Sequence, residues 1–276
     1  MSKISPSASE PVVHHRHSSL AAKIKVLDDN FVTFISMKVK LSPASFLCFF
    51  CLVFLIHEIH DWAHFWASTA VCGCLGNRAF DSWSACTACN MGHMYEQAFA
   101  WLAGPLVNYL AIWVGWGLMQ PDNPPEKQSL GFTMVFAALP FPRIMAALAG
   151  GGDETAAFRQ LFQRPDGSNH YVVAGAGLLV VLLLCVPALV RAFILVTGWV
   201  GRAIMFPAFL VLPAMVDRWL VHGELNRLLA GGFLSRQILR GGTQLFVFVW
   251  AAVLLVVYLL VRKSLEYVLE YKELNV

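Results

Sequence analysis

What most constrains this chain is a succession of apolar runs, each about long enough to cross a bilayer. A crossing helix needs roughly 20 apolar residues, and residues 43–70, 97–119, 131–149, 171–190 and 243–262 form runs of about that length. A sixth apolar stretch, 192–216, is interrupted by Arg202, Pro207 and Pro213 and reads as a broken span or a re-entrant segment. Hydrophobic residues make up 58% of the 276 and charged residues only 13%, too few polar groups to cover a soluble core of this size. The expected fold is all-α: a polytopic transmembrane helical bundle of about six spans, with the lipid bilayer as its solvent.

Charge sets the expected organisation. Lys3, Arg16, Lys23, Lys25, Lys38 and Lys40 stand against three acids in residues 1–40. This polar leader lacks the early apolar core of a cleavable signal peptide, and by the positive-inside rule it lies in the cytoplasm. Its His14, His15 and His17 read as part of a disordered tail. Residues 41–263 form the transmembrane, metal-binding domain and 264–276 a C-terminal tail. The expected location is the bacterial inner (cytoplasmic) membrane. A net charge of +3 gives no sign of a nucleic-acid partner. The C-terminal half is ambiguous. If 192–216 crosses, Arg218, Arg227, Arg236 and Arg240 lie outside, and if it does not, Arg262, Lys263 and Lys272 do. Residues 217–240 also read as an amphipathic surface helix, with Trp219, Leu220, Leu225, Leu228 and Leu229 on its apolar side.

The chemistry is concentrated late in the first span, in His57-Glu58-Ile59-His60-Asp61-Trp62-Ala63-His64. Helical spacing places His57, His60, Asp61 and His64 within an arc of about 100°. A charge near the bilayer centre costs on the order of 3 kcal/mol or more, so such groups face a partner or a cavity. A divalent cation satisfies both residue types, binding neutral imidazoles and neutralising carboxylates. His60 and His64, four apart, can share a tetrahedral zinc ion. Asp61 then follows the first ligand, in the place of a general base. In a second register His57 and Asp61 are the ligands and Glu58 is the base. Paired histidines favour the first, which leaves His57 beside the metal or lining its cavity.

Three segments, in order, resemble the site-2 proteases, the intramembrane zinc metalloproteases. His60-Asp61-Trp62-Ala63-His64 is similar to that family's His-Glu-x-x-His. Ala103-Gly104-Pro105-Leu106-Val107-Asn108 resembles its Ala-Gly-Pro-Leu-x-Asn segment. Leu139-Pro140-Phe141-Pro142 resembles its Asn-x-x-Pro-x-Pro segment. The resemblance covers residues about 45–160 and implies a zinc-dependent intramembrane hydrolase acting on a transmembrane protein substrate. The departures are specific. Asp61 stands in place of the family's glutamate, Ala137 in place of its asparagine, and Met145 in the slot of its aspartate ligand. The nearest acid is Asp153, after Gly150-Gly151-Gly152, which makes Asp153 the candidate third ligand with Glu154 next. The shorter aspartate and the missing aspartate motif equally suit the alternative, a non-enzymatic membrane protein that transports or binds metal, or an inactive protease relative. A di-iron histidine-box enzyme is less well matched, because outside the leader no two histidines are adjacent.

Three further features bear on the site. Asn108 either packs beside the Gly104-Pro105 kink or turns its amide toward the reacting groups. Arg143, deep in the third apolar run, needs a partner, with Asp153, Glu154 and Asp61 as candidates. Cys72, Cys74, Cys86 and Cys89 bracket a cysteine-rich loop after the first span and form either two disulfides or a structural zinc site.

Overall fold

A computed structural model describes residues 35–37, 42–86, 89, 94–162, 167–196, 199–236, 243–265 and 269–271. The chain divides into one unit of residues 1–36 with 270–276 and another of residues 37–269. Strands Ile35–Met37 and Leu269–Tyr271 pair with each other. The rest of the leader, and most of the C-terminal tail, lie outside the described residues.

The fold is the expected helical bundle. Among the described residues, six helical stretches are long and apolar enough to cross a membrane: Pro43–Cys72, Tyr95–Leu118, Pro125–Leu148, His170–Leu195, Arg202–Ala230 and Leu245–Ser264. Helix α1 (Pro43–Cys72) starts at a reciprocal capping box. The Ser42 hydroxyl accepts from the Ser45 amide at 3.0 Å, and the Ser45 hydroxyl from the Ser42 amide at 2.9 Å. It ends at Gly73, whose left-handed φ of 68° lets its amide return to the Thr69 carbonyl. A short hairpin follows, Asn77–Arg78 paired with Trp83–Ser84. Disulfides Cys72–Cys89 and Cys74–Cys86 tie it to the end of α1, so these four cysteines are not a zinc site.

Helix α2 (Met94–Leu118) packs against α1 and carries Pro105 in its middle. The third span is broken into α3 (Pro125–Ala137) and α4 (Pro140–Leu148). Its sequence explains the break. Pro140 and Pro142 have no amide hydrogen, so the carbonyls of Phe136 and Ala138 lose their helical donors four residues on. The Leu139 amide takes the first carbonyl at 3.1 Å, and Leu139 itself adopts a left-handed conformation, φ 53°, at a cost of about 1–2 kcal/mol for a non-glycine residue. The second carbonyl is left for a side chain.

Residues 150–170 contain helix α5 (Asp153–Phe162). Gly150 and Gly152, at φ 71° and 87°, turn the chain back so that α5 packs on α2 and on α6 (His170–Leu195). Helix α7 (Trp199–Asp217) continues through a π-helical stretch, Arg218–Leu225, into α8 (Asn226–Ala230). The fifth crossing is therefore displaced from 192–216 to 202–230. Residues 217–230 of the expected surface helix belong to that crossing, and Asp217, Val221, Leu225 and Leu229 are buried against the bundle. Helix α9 (Leu245–Val261) covers the other side of α1.

Candidate metal centre

The histidine stripe of α1 faces α2, the α3–α4 break and the start of α5 across a cavity of about 370 Å³. Three of its groups converge. His60 Nε2 lies 3.1 Å from His64 Nε2, and Asp153 Oδ2 lies 3.4 Å from the first and 3.5 Å from the second. These three residues form a group whose ligand atoms can hold a metal ion. Zinc bonds of about 2.0–2.1 Å in a tetrahedron set ligand atoms about 3.3 Å apart, which is the spacing found.

The surroundings also fix which ring nitrogens are free. His64 Nδ1 lies 2.7 Å from the Ala100 carbonyl, an acceptor only, so its proton is there. Asn108 donates from Nδ2 to the Ala138 carbonyl at 2.9 Å, the group stripped of its donor by Pro142, and this turns Oδ1 toward His60 Nδ1 at 3.0 Å. Arg143 Nη2 also sits 2.9 Å from that nitrogen, and one nitrogen of a neutral ring cannot donate to the amide and accept from the guanidinium. Because Asn108 is anchored at its other end, we assign the proton of His60 to Nδ1. Both Nε2 atoms then present lone pairs to each other and to a carboxylate. Three electron-rich atoms at this spacing can hold a cation.

Two local features make the convergence possible. A methyl group on Gly104 would lie 2.2 Å from His64 Nε2 and 2.7 Å from His60 Cε1, so only glycine at this point of α2 admits both rings. The hairpin supplies Trp83, stacked on the His64 ring at 5.1 Å between centroids.

The remaining expected site residues fall in different places. Asp61 lines the cavity. Its Oδ1 lies 4.0 Å from His60 Nε2, and its Oδ2 is 3.4 Å from His57 Nε2 and has no hydrogen-bond partner among the described residues. His57 stands outside the metal group. Its Nδ1 faces Asp217 Oδ1 at 2.8 Å, so it spans two carboxylates. Glu58 points away from the cavity and is paired with Arg78 at 2.5 Å, both fully or nearly fully buried. Glu154, the second choice for a third ligand, is bound by the Tyr109 hydroxyl at 2.5 Å and by Arg143 Nη1 at 2.8 Å. Met145, in the family's aspartate slot, is half exposed and does not line the cavity. The structure adds groups that the sequence did not single out: Asp217, Asp81 and His222, the last two 2.7 Å apart, line the same cavity. The run that holds Asp217 and His222 carried only an amphipathic signal.

Comparisons with models of known protein families, with curated proteins and with solved structures give no match.

Proposed function

We propose that this chain is an intramembrane zinc hydrolase of site-2 protease type, which cleaves a transmembrane protein segment. The observation that carries the reading is the convergence of His60, His64 and Asp153 on one point inside a membrane helix bundle. Two imidazoles and one carboxylate leave a fourth position open, the pattern of hydrolytic rather than structural zinc. A zinc ion held by His60, His64 and Asp153 would supply Lewis-acid chemistry and a water of lowered pKa. The chain's own residues supply the rest. Asp61 is the general base: its Oδ1 is 4.0 Å from His60 Nε2, while its buried Oδ2 faces His57. His57, held by Asp217, orients that carboxylate. Asn108 holds the His60 ring in the tautomer whose Nε2 is free. Glu58 has no part in proton transfer, since Arg78 occupies it.

The disulfide-tied hairpin supports an orientation as well. Disulfides persist on the oxidising side of a membrane, which supports an arrangement with the end of α1 outside and the N-terminus in the cytoplasm. A bacterial inner membrane fits that arrangement. A second reading, metal binding without turnover, is favoured by the short reach of Asp61, whose nearer oxygen is 4.0 Å from a ligand nitrogen.

The test is cleavage of a transmembrane reporter peptide with a helix-breaking centre, by zinc-loaded protein in detergent. Cleavage that is lost on adding 1,10-phenanthroline and in Asp61→Asn is expected. Equal cleavage by Asp61→Asn removes the assigned base, and absence of cleavage by zinc-loaded wild type supports the binding protein instead.

A further inference from the structure

Arg143 is a guanidinium inside a membrane span, and its surroundings do not account for all of its donors. Nη1 donates to Glu154 at 2.8 Å and lies 3.7 Å from Asp153 Oδ2. Glu154 is in turn fixed by Tyr109, so this side of the group is a support. Nε is buried and has no hydrogen-bond partner among the described residues. Nη2 lies against the His60 ring, 2.9 Å from Nδ1 and 3.4 Å from Nε2. Neither nitrogen remains an acceptor once the metal group is filled: Nδ1 carries the proton given to Asn108, and Nε2 gives its lone pair to the ion. Filling the site thus frees the hydrogens of Nη2, and the cavity that Arg143 lines is where they turn. Nη2 is then beside one ligand atom, His60 Nε2 at 3.4 Å, as Nη1 is beside another, Asp153 Oδ2 at 3.7 Å. A cation placed so near a dication is electrostatically costly; Asp153 offsets this beside Nη1, and Nη2 is left with no anionic acceptor among the described residues.

We propose that Arg143 is the oxyanion-binding group of this cavity. It donates from Nη2 to an anionic oxygen lying between it and the His60–His64–Asp153 group. The ligands it fits are a carboxylate, a tetrahedral phosphate-like anion, or the oxygen that becomes anionic when a peptide carbonyl is attacked. The inference rests on the metal reading and deepens it: donors fixed before the reaction stabilise developing charge without reorganising. It also gives a reason for a charge to stand in the third crossing, one turn after the helix break.

The test is anion binding. Detergent-purified protein is loaded with cobalt(II), whose visible absorption reports its coordination, and inorganic phosphate is titrated into wild type, Arg143→Gln and Arg143→Lys. Saturable phosphate binding by wild type is expected, weakened at least tenfold in Arg143→Gln with cobalt still stoichiometric. Arg143→Lys, which keeps the charge and loses the planar fork, is expected to fall between them. It also decides the matter if Arg143→Gln, with Glu154 left unpaired, does not fold. Stoichiometric cobalt with no phosphate response, or with equal affinity in every folded variant, overturns the oxyanion assignment and leaves the metal centre intact. Failure of wild type to take up cobalt defeats the metal centre, and the oxyanion site with it.

Discussion

Replacing Gly104 by alanine places one methyl group against both ligand histidines. The added carbon would sit 2.2 Å from His64 Nε2, 2.4 Å from His64 Cδ2 and 2.7 Å from His60 Cε1. Nonbonded carbon contacts relax only near 3.5–4.0 Å, so the rings must retreat by about 1 Å or more. Metal–ligand distances tolerate about 0.2 Å, and α1 cannot withdraw freely because α9 packs on its other side. Overpacking of this kind costs about 1–3 kcal/mol in stability. Zinc affinity is expected to fall by at least about 100-fold, the upper end of what losing an outer partner of a ligand does. Gly117→Ala is the control. It lies on the same helix, its added carbon meets nothing within 4 Å, and alanine is the better helix former by roughly 0.5–1 kcal/mol. The assay is zinc competition against a chromophoric chelator, with thermal unfolding in the same detergent. Gly104→Ala that keeps both the zinc affinity and the stability of Gly117→Ala would refute the placement of the two rings.

Other perturbations separate the parts of the site. Asn108→Ala frees the His60 ring without removing a ligand, so zinc affinity should drop about 10–100-fold, with the fold kept by circular dichroism. Arg78→Met strands the buried carboxylate of Glu58 and should cost about 3–5 kcal/mol. Arg78→Met/Glu58→Gln should recover much of that in denaturation, and failure to recover would mean the pair is not coupled. Each disulfide closes a short loop, with partners 17 and 12 residues apart. Cys74→Ser/Cys86→Ser should therefore lower stability by about 3 kcal/mol and loosen Trp83 over His64, read as increased accessibility of Trp83 to a fluorescence quencher.

Much of the architecture was legible because lipid leaves a simple record. Apolar runs of fixed length mark crossings, and a four-residue histidine spacing marks one face of a helix. Asp153 was reached as the nearest acid after a glycine-rich bend, and the structure brings it to His60 and His64 because Gly150 and Gly152 take the left-handed conformations that such a bend needs. What could not be read was pairing at a distance. Asp217 meets His57 across 160 positions, and Arg78 meets Glu58 through a hairpin that carries no periodic signal. The fifth crossing was misplaced because Pro207 and Pro213 suggested an interruption, whereas the helix runs through both and its polar residues, Asp217 and His222, turn to the cavity. Gly104 looked like a kink residue beside Pro105. Its role as the gap into which two imidazoles fit depends on a neighbouring helix, which no local pattern reports.

Elemental mass spectrometry of detergent-purified protein is the most direct check on the metal centre, run on wild type beside His60→Ala/His64→Ala and Asp153→Ala. About one zinc per wild-type chain is expected, with none in the double variant and a marked loss in Asp153→Ala. A folded wild type that carries no zinc after incubation with the ion, or an equal zinc content in all three proteins, would show that His60, His64 and Asp153 do not form a zinc site.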